Sequence, residues 1–459
     1  MRYTLTFLEE DFEILQGHLF AGQNERAAYL LTRECQTSGE TRLLVREVIP
    51  VQDADVDSSS PAHMSIRARS FIPILRRSHL ERCGFGFVHS HPNGLLGHSA
   101  QDDEEERILF ATAYNRIRVP TVHASVVFAA PDKPFGRVWK DDGTTAEVDV
   151  IRVVGQRLRY YFHPSKAVDA PPTFFDRQVR AFGPDIQQLL RCLTVGIVGA
   201  GGTGSSVIEQ VVRLGVGRVI VSDGDEFQDT NVNRVYGSRL IDGGLPKTKI
   251  AERAVADIGL GTSVEIERRP ITFQSVMKRF RDCDVIFGCS DDQWGRSILT
   301  SFAVQYNIPV FDMGVKITSE NGEIRSVEGR VTTLMAGAAC LFCRGRISAD
   351  RVREECMAAE DPEGLERLRG EGYAPELEDR APAVIAFTTS VAAAAVSEFL
   401  HRLTGFMGAD RASTEVLLLL DQGRVRTNQR IPGNCGCGDR KNWGRGDRLR
   451  FLGLSWRAE

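Results

Sequence analysis

The chain has little net charge of either sign. Its 57 lysines and arginines nearly balance 61 aspartates and glutamates, for a formal charge of −4. That excludes an electrostatic case for nucleic acid or for an anionic membrane surface. No run approaches the ~20 apolar residues that a membrane-spanning helix needs, and Glu9, Glu10 and Asp11 interrupt the N-terminus before a signal-peptide core can form. A cytoplasmic protein with no membrane partner is expected. Internal repeats are absent, and a cytoplasmic setting argues against pairing the ten cysteines as disulfides.

What is present divides the 459 residues into more than one core. Residues 1–145 mix short strand-like runs (Ala28–Leu31, 121–129) with a helical stretch from Asp102 to Tyr114. Residues 146–172 lose periodicity and read as a linker ending in Asp169-Ala170-Pro171-Pro172. Residues 173–439 read as strand-turn-helix repeats of a parallel α/β domain, with strands at 194–198 and 218–222 and a helix over 205–214. Residues 440–459 form an arginine-rich tail.

Two chemical signatures stand out. The first is His89-Ser90-His91-Pro92 followed by Ser99 and Asp102. On a strand, residues 89 and 91 face the same side. Ser99 is a natural N-cap, and an Asp on the first turn of the next helix can return to that strand. Two imidazoles and a carboxylate leave a divalent metal its fourth position for water.

This string resembles the JAMM motif of the JAB/MPN metalloproteases, which release ubiquitin-like proteins from conjugates or precursors. The resemblance implies an N-terminal α+β JAB/MPN fold, a catalytic zinc on His89, His91 and Asp102, Glu25 as general acid/base, and Ser99 stabilising the tetrahedral intermediate. Asp103 and His98 are nearby decoys. A metal-free scaffold that only docks its partner is the competing reading.

The second signature is Gly199-Ala200-Gly201-Gly202-Thr203-Gly204 between a strand and a helix, where backbone amides can approach phosphate. Alone it is a weak signal whose default is a nicotinamide site, and Asp223 closing the next strand fits that default too. The continuation favours chemistry at an α-phosphate: Asp225, Asn231, Arg234, Lys247 and Asp291 supply cations for the phosphoryl charge and a carboxylate for magnesium.

These residues resemble the adenylation domain shared by ThiF, MoeB and the ubiquitin-activating enzymes. The resemblance implies a Rossmann-like α/β fold with a mainly parallel sheet. It also implies ATP and magnesium held by Gly199, Gly201, Gly202, Gly204, Asp223, Asp225, Asn231, Arg234, Lys247 and Asp291, and a homodimer in which Arg177 reaches the partner's ATP. Cys340, Cys343, Cys435 and Cys437 form two close pairs suited to a structural zinc. Cys356, thirteen residues after Cys343, is the candidate nucleophile for the acyl-adenylate, against flanking glutamates that oppose a thiolate. Residues 358–380 read as a charged, mobile crossover loop.

Together these readings describe a bifunctional enzyme of the α/β class, bacterial in type. It would trim a ubiquitin-like protein and adenylate its C-terminus, with a separate conjugating-enzyme-like partner. Conjugation, sulfur-carrier activation for cofactor synthesis, and antiviral defence all fit that chemistry.

Overall fold

The computed structural model describes residues 2–117, 122–166, 169–370, 382–408, 413–448, 451–454 and 456. The chain forms two compact units, 1–168 with 443–450, and 169–442 with 451–459.

In the first unit, β1 (Arg2–Leu8) leads into α1 (Glu9–Leu19), followed by β2 (Ala27–Gln36), β3 (Glu40–Pro50) and the hairpin β4 (Val56–Ser60) and β5 (His63–Ile66). Then come α2 (Ala68–Glu81), β6 (Gly84–Ser90), α3 (Ala100–Arg116), β7 (His123–Ala130), β8 (Lys133–Trp139), β9 (Thr145–Val154) and β10 (Leu158–Phe162). The sheet runs β1-β3-β2-β6-β7-β8-β9-β10, and β1 also pairs with β9, so seven strands close into a ring. Closure removes the exposed edges that an open sheet would present.

Strand alternation serves two cores. Leu5, Phe7, Ala28, Leu30, Val88 and Val126 pack with Phe12 and Leu15 of α1. Ala27, Tyr29, Phe85 and Trp139 face the other way, against Leu75 of α2 and Phe110 of α3. His89 continues the Phe85 face, so the strand delivers it to the side that α3 covers.

Residues 146–166 are not the expected linker: β9 and β10 belong to the sheet, with Val148, Val150, Ile151 and Val153 all buried. The expected tail is likewise divided. Trp443–Asp447 packs on the first unit, where Asp447 Oδ2 accepts from the Gln36 backbone N–H at 2.8 Å and the Arg46 guanidinium donates to the Trp443 carbonyl. Phe451 instead lies against Tyr306 in the second unit, the two rings tilted by 37°. Residues 449–450, 455 and 457–459 of that tail lie outside the described residues.

The second unit starts with α4 (Asp176–Phe182), α5 (Pro184–Cys192), β11 (Thr194–Val198), α6 (Gly202–Arg213), β12 (Arg218–Ser222), α7 (Lys247–Ile258) and β13 (Ser263–Glu267). It continues through α8 (Gln274–Arg279), β14 (Val285–Gly288), α9 (Gln293–Tyr306), β15 (Val310–Glu320) and β16 (Glu323–Leu334). α10 (Ala349–Glu360), α11 (Pro362–Gly370), α12 (Ile385–Thr404), β17 (Glu415–Leu419) and β18 (Arg424–Asn428) complete it. The sheet order is β13-β12-β11-β14-β15-β16-β17-β18, parallel from β13 to β15 and antiparallel beyond. Residues 358–370, expected as loop, are helical in α10 and α11; 371–381, the rest of that crossover, lie outside the described residues. Among the described residues no helix is long and apolar enough to cross a membrane.

Candidate functional site

In the first unit, His89, His91 and Asp102 converge. His89 Nε2 lies 3.1 Å from Asp102 Oδ1, His91 Nε2 lies 3.3 Å from Oδ2, and the two imidazole nitrogens are 3.1 Å apart. A tetrahedral ion with arms of about 2.0–2.1 Å would separate its ligand atoms by roughly 3.3–3.4 Å, so the two imidazole nitrogens and one Asp102 oxygen could hold one divalent ion. His91 Nδ1 is 3.3 Å from the Leu95 carbonyl. Donating there leaves the Nε2 lone pair free toward the cluster, as a metal ligand needs.

Asp102 is fixed by its helix. Ser99 is the N-cap of α3: its hydroxyl accepts from the Asp102 backbone N–H at 3.1 Å, and its own N–H donates to Asp102 Oδ2 at 2.6 Å. Burial works against the Asp102 charge, but His89, His91 and the Ser99 amide hold it well below the usual carboxylate range.

Glu25 sits beside the three, 8% exposed, and burial pushes its carboxyl up. Its backbone is held independently of that carboxyl: its N–H donates to the Ser60 carbonyl at 2.9 Å and its carbonyl accepts from Ser59 Oγ at 2.8 Å. A cleft of about 360 Å³ opens over the four residues, walled by His63, Met64 and Ile66 of the β4–β5 hairpin and by Phe71, Phe87 and Leu109. Sequence reasoning missed this wall, because Val56-Asp57-Ser58-Ser59-Ser60 carries the serines of a loop rather than a strand pattern.

The decoys point elsewhere. Asp103 and Glu106 both pair with Arg137, and His98 Nε2 meets Ser125 Oγ at 2.9 Å. Burial, with Arg137 close by, drives the His98 imidazole well below its ordinary value.

In the second unit the glycine-rich turn joins β11 to α6. Gly199 has φ +95°, and a Cβ on Gly204 would lie 1.8 Å from the Gly199 carbonyl oxygen. Neither position accepts a side chain without moving the turn. Asp223, at the end of β12, accepts from the Ala200 N–H at 2.6 Å and the Asp225 N–H at 2.8 Å. Burial raises its carboxyl against the pull of Lys247.

Lys247 Nζ lies 2.7 Å from Asp225 Oδ2. The Arg234 side chain crosses Gly202, whose Cβ would meet it at 3.4 Å, and its guanidinium donates to the Thr230 carbonyl at 2.6 Å. Asn231 is buried, its Oδ1 accepting from the Gln228 N–H at 3.0 Å, so it shapes the loop that carries Arg234. Asp291 is exposed just beyond β14, whereas Asp292 N-caps α9 through the Gly295 N–H.

Not every candidate joins this group. Arg177 is exposed on α4. Cys356 lies within α10, its Sγ 3.5 Å from Glu360 Oε2, while Glu355 accepts from the Trp294 N–H at 2.8 Å and ties α10 to the start of α9.

Cys340, Cys343, Cys435 and Cys437 bring their sulfurs within 4.8 Å of one another, with Cys340–Cys435 and Cys343–Cys437 at 3.6 Å. Those separations are far beyond the ~2.05 Å of a disulfide. They approach the roughly 3.8 Å edge of a tetrahedron with 2.3 Å metal–sulfur arms. The cluster could hold one metal ion.

The profile of the ThiF family matches residues 175–438. Ubiquitin-like modifier-activating enzyme 5 of Branchiostoma floridae is 26% identical over 208 residues, 42% of this chain and 51% of that protein. The sulfur carrier protein ThiS adenylyltransferase of Bacillus subtilis is 28% identical over 203 residues, 42% and 60%. The SAMP-activating enzyme E1 of Haloferax volcanii is 29% identical over 161 residues, 35% and 56%. The chain thus spans 51% to 60% of the length of these curated relatives. A crystal structure of E. coli MccB with ATP is similar at 14% identity and a TM-score of 0.45, covering 58% of this chain and 74% of that one. With the matched profile covering more than half its length, the chain belongs to the ThiF family.

Proposed function

We propose that the second unit adenylates the C-terminal carboxylate of a small carrier protein, and that the first unit is a zinc-dependent peptidase acting on the same terminus. The carrier is a ubiquitin-like protein, in keeping with the names of the relatives. A sulfur carrier is the second reading, since ThiS adenylyltransferase matches as well as the modifier-activating enzymes do.

One observation carries the adenylation reading. Arg234 crosses Gly202, Lys247 lines a recess with Ala200, and Asp291 follows the Cys289-Ser290 segment that packs on Gly199, in a turn where Gly199 and Gly204 leave no room for a side chain. ATP phosphates would lie on the amides of that turn, and Asp291 is the carboxylate available for magnesium. A carboxylate oxygen of the carrier bonds to the α-phosphorus, the α–β bridging P–O bond breaks, and pyrophosphate leaves. Lys247 and Arg234 offset the charge that develops on the phosphoryl oxygens. Asp291→Ala should abolish ATP–pyrophosphate exchange and spare proteolysis; retained exchange would remove Asp291 from the site.

The peptidase reading, a JAB/MPN-type activity, rests on the convergence of His89, His91, Asp102 and Glu25 on one cleft. His89, His91 and Asp102 would hold a zinc ion whose bound water would be available as hydroxide near neutral pH. Glu25, raised by burial, carries a proton to the departing amine, and the Ser99 hydroxyl can donate toward the cleft. The four cysteines would take a second, structural zinc. Arg177 would act across a homodimer, which mixing Arg177→Ala with Asp291→Ala subunits tests by restored exchange.

Transfer beyond the adenylate goes to a conjugating-enzyme-like partner or to sulfur, with Cys356 as the relay to test. Glu355 and Glu360 are neighbours of the wrong sign for an attacking thiolate. A thioester trapped on the wild type and lost in Cys356→Ala would establish the relay.

A further inference from the structure

Asp312 on β15 is the register partner of Gly288, the last residue of β14, at the carboxyl end of the parallel strands. Open α/β sheets bind their ligands at that end. Asp312 is fully buried, and Arg296 of α9 closes on it as a fork, Nε to Oδ1 at 2.8 Å and Nη2 to Oδ2 at 2.7 Å. That pair is matched in charge and geometry.

A second guanidinium then crowds in. Arg330 of β16 touches Asp312 Oδ2 through Nη2 at 3.1 Å and Thr332 Oγ1 through Nη1 at 3.5 Å. The other carboxylate that acts on it, Glu415, is itself forked by Arg346, with both contacts at 3.0 Å, and is approached by Arg344 at 3.4 Å. Both carboxylates are therefore spoken for, and Arg330 has no carboxylate of its own.

Of the five N–H groups on its guanidinium, Arg330 uses two. The side chain is 12% exposed. It lies against Gly314, where a Cβ would stand 2.8 Å from Nη2. Burial lowers its ionisation to about 10, with Arg296 and Arg346 opposing what Asp312 restores. An arriving anion would relieve that unfavourable charge.

We propose that Arg330 grips the terminal carboxylate of the protein to be adenylated, holding it for attack on the α-phosphorus. The proposal rests on the adenylation reading above. Placement selects a carboxylate over a phosphate. The free donors of the planar Arg330 guanidinium can take a carboxylate or a phosphate bidentately. Arg330 itself, on β16, sits three strands away from β11 and its glycine turn, a lateral distance of roughly 14 Å. Phosphates on the turn and a carboxylate at Arg330 therefore do not compete for one place.

The test uses the full chain, Arg330→Gln and Arg330→Lys, with a decapeptide ending in a Gly-Gly carboxylate and its C-terminal amide as probes. ATP–pyrophosphate exchange should respond to the carboxylate and not to the amide. In Arg330→Gln the KM for the peptide should rise roughly 10- to 100-fold, the loss of one charge-assisted contact. Arg330→Lys should recover part of it, and MgATP affinity by calorimetry should stay within about twofold. An unchanged peptide KM in both variants overturns the proposal alone. Weakened MgATP binding to the same degree assigns Arg330 to the nucleotide and overturns it too. A wild-type chain that binds MgATP but shows no exchange with the carboxylate peptide overturns the adenylation reading, and the role of Arg330 with it.

Discussion

Glu25→Gln separates the chemistry of the first unit from its architecture. The backbone at position 25 is anchored by Ser59 and Ser60, so an isosteric amide leaves the chain path intact. Burial raises the Glu25 carboxyl above its ordinary value, which means that the folded state disfavours the ionised form. Stability therefore falls as pH climbs from the unfolded value toward the raised one, and the amide removes that loss. At neutral pH the metal-free variant should melt at the wild-type temperature or slightly above it.

Catalysis should respond oppositely. A positioned proton carrier contributes about 10²–10⁴-fold, or roughly 3–5 kcal/mol of transition-state stabilisation. The assay is hydrolysis of a Gly-Gly peptide joined by an amide to aminocoumarin, with zinc content measured by mass spectrometry on the same samples. Zinc retained with the rate reduced at least a hundredfold is the expected result. Zinc retained with a wild-type rate would refute Glu25 as the proton carrier. Equal loss of ATP–pyrophosphate exchange would refute two independent sites.

Other perturbations probe the scaffold. Gly204→Ala drives a Cβ to 1.8 Å from the Gly199 carbonyl, so MgATP binding should be lost while the first unit keeps its peptidase rate; calorimetry that finds normal affinity would contradict the tight turn. Glu40 is buried, and although burial opposes its charge, Arg152 and Arg42 hold its carboxyl down to about 2. Its contribution, about 3 kcal/mol, is complete above pH ~4.5 and lost as pH falls toward 2. Glu40→Gln removes the carboxylate that Arg42 and Arg152 share and should cost about 3–5 kcal/mol at neutral pH by urea unfolding. Cys343→Ser should remove one metal ion per chain and lower the melting temperature of the second unit, with no change in metal at His89 and His91.

Local patterns in the sequence carried much of this. The strand and turn from Thr194 to Gly204 and the two-residue spacing of His89 and His91 are short-range facts, and the backbone realises them directly. β9 escaped because its alternation is broken. Tyr3 pairs with Val148 but Thr4 with Val150, so Asp149 bulges out, accepting from the Tyr3 N–H at 3.0 Å. Beyond the bulge the buried positions change phase, and a period of two is lost. The β4–β5 hairpin hides behind loop-like serines. The Arg296–Asp312–Arg330 cluster joins positions on three elements, and no local spacing announces it.

The two proposed reactions are successive operations on one carboxyl group, since hydrolysis yields the carboxylate that adenylation consumes. Their electrostatic demands conflict. Proton delivery needs a carboxyl raised by burial, as at Glu25, whereas binding an anion needs a guanidinium with no carboxylate of its own, as at Arg330. Placed in one cleft, the carboxyl would pair with the guanidinium, lose its raised ionisation and occupy the free donors. A chain carrying both therefore needs two separate environments, and the division into two compact units meets that condition. The substrate must then present an extended, mobile terminus that each site can take in turn. A folded carrier ending in a flexible tail has that form.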